Sequence, residues 1–96
     1  MKIRIEFIGF PMIYDLFPEG AHSYVLEGET LAQLIEDVVL RNGSRIQEAL
    51  LDPGTGELDP TIQIRVNARF IRRDEISREN IEEGDHVTFF RLLAGG

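Results

Sequence analysis

The sequence predicts an α+β fold of two layers: a mixed sheet of about four to five strands with one main amphipathic helix packed on one face. Three observations carry this. Residues 2–10 alternate, with Ile3, Ile5 and Phe7 set against Lys2, Arg4 and Glu6, so one face is buried and one wet. Residues 86–93, HVTFFRLL, read as a second long strand at the far end of the sequence. Between them Leu31, Leu34, Ile35, Val38 and Val39 fall at i, i+3, i+4, i+7 and i+8, one stripe of a helix that must lie on a sheet.

The remaining elements follow in order. Pro11, Pro18 and Gly20 mark 11–21 as a loop, with Met12, Ile13, Leu16 and Phe17 expected to tuck into the core edge. Residues 22–27 read as a strand pairing with the first. Thr30 and Gln33 form a capping box that opens helix 30–42. Gly43 supplies a left-handed stop. Ser44 and Gln47 repeat the capping pattern, and Ile46, Ala49 and Leu50 give a short helix at about 45–51. The two Asp-Pro pairs and two Gly of 52–60 make a turn-rich loop. Residues 61–66 alternate as a strand, Asn67-Ala68 is a tight turn, and 69–72 return. A single helical turn is expected near Ser77–Asn80, and 82–85 form a turn before the last strand. With the first and last strands central and parallel, and the helix as crossover, this is the β-grasp arrangement. The 96 residues are expected to form a single domain, with a flexible tail at about 93–96.

Composition excludes much chemistry. Apolar residues are 43% and charged residues 28%, the balance of a folded chain rather than a disordered one. Without Cys there is no disulfide, thiolate metal site or Cys nucleophile. Two His, 64 residues apart, argue against a zinc site. A net charge of −7 disfavours general nucleic-acid binding. No apolar run reaches the ~18 residues of a membrane span, and MKIRIEF does not read as a signal peptide, so the expected compartment is the cytoplasm. Residues 1–60 hold 4 basic and 11 acidic side chains, whereas 61–96 hold 6 of each. Arg65, Arg69, Arg72 and Arg73 cluster in the second part. They mark either a surface for an anionic partner or an ordinary solvated hairpin.

Few side chains invite a catalytic reading. His22 and His86 each begin a strand without a motif partner. Glu82, Glu83 and Asp85 lack calcium-loop spacing and read as a solvated turn. Asn42-Gly43-Ser44 reads as a helix stop followed by a cap, and Gly54-Thr55-Gly56 is followed by no phosphate-binding helix. The terminus differs. Leu92-Leu93-Ala94-Gly95-Gly96 ends on a residue without Cβ. Glycine threads narrow channels and approaches a phosphate closely, and a terminal carboxylate is activatable to an acyl-adenylate. In the last strand Val87 and Phe89 suit the covered face. Phe90 and Leu92 would then lie exposed beside the tail, with Phe90 as a docking anchor.

The last 13 residues, Gly84 to Gly96, resemble the ending of the small, sulfur-carrying subunit of molybdopterin synthase. That ending typically reads Gly-Asp-Glu-Val-Ala-Phe-Phe-Pro-Pro-Val-small-Gly-Gly. Gly84, Asp85, Val87, Phe89, Phe90, Gly95 and Gly96 match it without a gap. The KIRIEFIGF start, the Thr-Leu helix opening and Val66-Asn67 also resemble that family. Arg91-Leu92 replaces the usual Pro-Pro, Ala68 and Arg69 stand where Gly is usual, and the loops at 11–21 and 52–60 are somewhat long.

The resemblance implies a carrier with no independent catalysis and no bound cofactor or metal. A ubiquitin-activating-like adenylyltransferase would use ATP to couple AMP to Gly96. A sulfur donor would make the thiocarboxylate, and Gly95 would thread the tail into the large synthase subunit. Phe90, Arg91, Leu92 and Leu93 would meet these partners. A thiamine-pathway sulfur carrier shares the fold and tail, and ubiquitin-like protein modifiers also end in Gly-Gly. A passive β-grasp binding module is the further alternative.

Overall fold

The computed structural model describes residues 1–91. Its five-stranded sheet contains β1 (Lys2–Ile8), β2 (His22–Val25), β3 (Ile62–Val66), β4 (Arg69–Ile71) and β5 (His86–Arg91) in the order β2-β1-β5-β3-β4. β1 and β5 are central and parallel, with Arg4 opposite His86 and Ile8 opposite Phe90. The outer pairings β1–β2, β3–β4 and β3–β5 are antiparallel. Helices α1 (Leu31–Asn42) and α2 (Ser44–Leu50) lie between β2 and β3 in the chain. This is the β-grasp arrangement that the alternating strands and single apolar helix stripe predict.

Burial follows the alternation. Ile3, Ile5 and Phe7 of β1, Ile62, Ile64 and Val66 of β3, and Val87 and Phe89 of β5 point to the helix side and are buried. Leu31, Leu34, Ile35 and Val38 of α1 cover them, while Val39 is only half-buried. Phe7 and Phe89 stack across the parallel pair at 4.9 Å between ring centres, and Phe10 meets the Phe7 edge at 5.4 Å. Burying a side chain of this size stabilises by about 1.5–3 kcal/mol.

The Thr30 capping box is complete. Thr30 Oγ1 accepts from the Gln33 N–H at 3.1 Å, and Gln33 Oε1 accepts from the Thr30 N–H at 3.1 Å. Tyr24 then ties α1 to the sheet. Its hydroxyl donates to Asp37 Oδ2 at 2.6 Å, and Asp37 also pairs with Arg41 at 3.2 Å. Arg41 lies over the Tyr24 ring at 5.4 Å.

Several expectations need correction. The first strand stops at Ile8 rather than at residue 10, because Gly9 turns to φ +87 and sends Phe10 into the core. The 11–21 loop begins with a 3₁₀ turn, Pro11–Ile13. Ile13 and Phe17 are buried as expected, but Met12 and Leu16 are exposed. The second strand ends at Val25, although Leu26 is buried and its N–H donates to the Met1 carbonyl. Gly43 is not in the left-handed helical region. Its φ of 79 with ψ of −157 is open essentially to Gly alone, and it lets α2 start at once on Ser44. Ser44 therefore lies inside α2 and supplies no cap; Gly43 occupies that position without a side chain.

In the two-residue hairpin turn Asn67 takes the positive φ of 55, and Ala68 does not. The helical turn after β4 is a 3₁₀ stretch at Arg73–Arg78, earlier than Ser77–Asn80. Polar contacts anchor it there. Glu75 Oε1 accepts from the Arg72 N–H, and the Arg73 guanidinium donates to the Leu58, Asp59 and Ile62 carbonyls. Among the described residues, no helix is long and apolar enough to cross a membrane.

Burial and the nearby Asp37 carboxylate push the Tyr24 hydroxyl pKa well above its ordinary value of 10.0. A raised pKa means that the fold favours the protonated form. Tyr24 thus contributes stability that is full below pH about 10 and is lost as pH rises beyond it. Thermal melts should show a steeper fall above that pH for the native chain than for Tyr24→Phe. At neutral pH this variant should be less stable by about 1.5 kcal/mol.

Candidate functional site

β5 brings the chain to its terminal segment. It runs between β1 and β3, and Arg91 lies opposite Ile62 at its end. Gly9 closes this end from the β1 side. A Cβ on Gly9 would stand 2.9 Å from the Arg91 carbonyl oxygen, so only a bare backbone allows the approach. Asp59 flanks the β3 side. Its Oδ1 accepts from the Thr61 N–H at 2.8 Å and from the Thr61 hydroxyl at 2.6 Å. These bonds, with the nearby Arg91 and Arg73, hold its carboxyl below the usual range. Leu92, Leu93, Gly95, Gly96 and the expected flexible tail at about 93–96 lie outside the described residues.

The uncovered face of the sheet carries the other predicted site residue. Phe90 points to that face, as the alternation with Phe89 requires, but it is half-buried rather than exposed. Phe70 of β4 covers it, with ring centres 5.8 Å apart, and the Arg65 guanidinium lies over it at 5.1 Å. Arg65 is also 6.0 Å from the Phe70 ring. Phe70 is 55% exposed and Ile8, opposite Phe90, is 40% exposed, so the patch has an apolar surface with a cation set into it. Beneath it Thr88, flanked by Glu6 and Arg65 on the neighbouring strands, is fully buried. Neither Thr88 Oγ1 nor Arg65 Nε has a hydrogen-bond partner among the described residues.

The sequence reading missed Phe70, Arg65 and Ile8 as members of this patch. The signal was present for two of them. A two-residue turn at 67–68 places Arg65 directly opposite Phe70.

The four clustered arginines do not form one patch. Arg65 faces the uncovered side, whereas Arg69, one position before the opposing Phe70 on β4, faces the helix side and binds Glu79 at 2.6 Å. Arg72 pairs with Asp74 at 3.3 Å, and Arg73 is spent on three carbonyls. Both histidines make structural contacts. His22 Nε2 meets the Pro18 carbonyl at 2.6 Å, and His86 Nε2 meets Glu6 Oε1 at 3.0 Å. The 82–85 carboxylates close their own turn. Glu83 accepts from the Lys2 N–H, and Asp85 accepts from the Glu82 N–H and the Asn67 amide. No group of three His, Cys, Asp or Glu among the described residues could hold a metal ion.

The arrangement is a sheet whose last strand ends at Arg91, next to an aromatic patch formed by Phe90 and Phe70. The profile of the ThiS family matches residues 15–96. The chain belongs to the ThiS family. It has the β-grasp, ubiquitin-like fold of that family's sulfur carriers. SAMP1 from Haloferax volcanii is similar over the whole of both chains, with 14% identity and a TM-score of 0.75. Small archaeal modifier protein 1 of H. volcanii is similar over 96% of this chain and 98% of its own, with 13% identity and a TM-score of 0.73. CysO, an antigen of Mycobacterium tuberculosis, is 25% identical over 95% of this chain and 99% of its own, with a TM-score of 0.70. No curated protein sequence matches significantly.

Gly9→Ala should destabilise by more than about 1 kcal/mol, since the side chain meets both a strained φ and the Arg91 carbonyl. Phe70→Ala, at an exposed site, should cost under about 1 kcal/mol. Urea denaturation measures both. The reverse order would mean that Phe70 is core and the β1–β5 end is loose.

Proposed function

We propose that this chain is a sulfur carrier of molybdopterin biosynthesis, the donor subunit of a molybdopterin synthase. The observation that carries this reading is the ThiS-family match running through Gly96, together with the Gly84–Gly96 ending that resembles the synthase small subunit. A Gly96 carboxylate oxygen attacks the α-phosphorus of ATP on an adenylyltransferase, and pyrophosphate leaves. Hydrosulfide released by a donor then attacks the acyl carbon, the C–O bond to phosphate breaks, and AMP leaves with the electron pair. The thiocarboxylate enters the large subunit and gives its sulfur to the pterin precursor. The chemistry belongs to the carboxyl carbon and to the partners, which is consistent with a chain that has no Cys.

Phe90, with Phe70 and Arg65 beside it, is the docking anchor in this reading. Leu92 and Leu93 extend the contact, Arg91 lies between anchor and tail, and Gly95 passes the narrow entrance. The apolar rings supply contact area, and Arg65 suits an acidic group on the partner. The likeness to small archaeal modifier protein 1 favours a second reading, in which the activated Gly96 is passed to a lysine of another protein. Lysine-linked adducts in cell extracts would select it.

ATP–pyrophosphate exchange with the adenylyltransferase tests the first step. The full chain should support exchange, and deletion of Gly96 should abolish it while leaving the unfolding midpoint unchanged. Phe90→Ala should raise the concentration needed for half-maximal exchange. Exchange that survives loss of Gly96 would overturn the reading.

A further inference from the structure

The 96 residues contain nine Arg but one Lys, Lys2, and no Cys. An activated acyl group is captured by thiols and amines, whereas a guanidinium stays protonated in proteins. Within this sequence, Lys2 is therefore the one side chain with the chemistry to accept the activated tail. The Met1 α-ammonium is engaged: it donates to the Leu26 carbonyl at 2.6 Å and is half-buried. Lys2 is exposed on the uncovered face of the sheet, and its backbone is fixed. Its N–H donates to Glu83 Oε1 at 2.9 Å, and its carbonyl accepts from the Gly84 N–H at 2.8 Å. No carboxylate pairs with its ammonium among the described residues.

The parallel pairing separates this amine from the tail of its own copy. β5 runs in the same direction as β1, so Lys2 lies at one end of the sheet and Arg91 at the other. Seven residue steps separate their levels, about 23 Å at the rise of a strand. Five residues follow Arg91, and turning back would consume two of them. The three that remain span at most about 10 Å, which leaves a gap longer than a lysine side chain.

We propose that Lys2 is the one acylation site of this chain, the ε-amine on which the activated Gly96 of a second copy forms an isopeptide bond, so that copies join head to tail and none closes on itself. This rests on the activated-tail reading above. The neutral amine attacks the acyl carbon of the Gly96 adenylate. The N–C bond forms, the C–O bond to phosphate breaks, AMP leaves with the electron pair, and the amine proton passes to water. Donor end and acceptor end differ, so the contact does not close and the product is an open chain.

The test uses the full chain carrying a preformed Gly96 thioester of a simple alkyl thiol, which then leaves in place of AMP. Dimers and longer chains should form. Trypsin cuts after Arg91, so digestion should leave Leu92–Gly96 attached to Lys2 in the peptide Met1–Arg4. Lys2→Arg should abolish the oligomers. Acylation at the Met1 amine or at a hydroxyl would overturn the proposal. So would a monomer that has lost its thiol by ring closure, or an absence of oligomers while free lysine in the same solution is acylated. The thioester is made beforehand, so these failures are distinct from a failure to adenylate, which would overturn the carrier reading.

Discussion

The parallel pairing of β1 with β5 is the constraint on which the rest of the molecule depends. It joins the first and last strands at the centre of the sheet, with Phe7 stacked on Phe89 at 4.9 Å. Parallel strands need a crossover, and α1 forms part of it after the β1–β2 hairpin. The same pairing directs the last strand away from the start of the first. β1 therefore begins at one end of the sheet and β5 finishes, at Arg91, at the other.

Much of this was legible from local pattern. Ile3, Ile5 and Phe7 show the β1 face by alternation, and the Leu31–Val39 stripe shows which side of α1 is covered. Thr30 and Gln33 form their cap from four adjacent residues, so no distant contact was needed to read it. The failures lie where a distant group decides. Met12 and Leu16 look like core residues but are left exposed beside Ile13 and Phe17. The 3₁₀ stretch at Arg73–Arg78 is anchored through Arg73 to carbonyls 11–15 residues away, which no periodicity reveals. Gly43 ends one helix and begins the next in a conformation that leaves Ser44 no capping role.

The candidate site was legible in part. Phe90 could be assigned to the uncovered face from the Phe89-Phe90 alternation alone. Its partner Phe70 depends on hairpin register, and the Arg65 stack depends on side-chain conformation. The arginine cluster misled for a related reason. The register sets Arg65 opposite Phe70 and Arg69 opposite Val66, and neighbours in a strand point to opposite faces, so the two arginines are near in sequence but divided by the sheet. Four cations in nine residues therefore serve separate tasks, three of them within the fold.

A chain without thiols and with one lysine offers little to compete for its own activated end. In the proposed cycle the body of the protein positions and protects, while the acyl carbon of Gly96 bears the sulfur. The most direct test is the intact mass of the protein after incubation with its adenylyltransferase, ATP and a sulfur donor. A gain equal to one oxygen replaced by sulfur, located by fragmentation at Gly96, is the expected result. An unchanged mass despite active partners, or sulfur bound at any other residue, would contradict it.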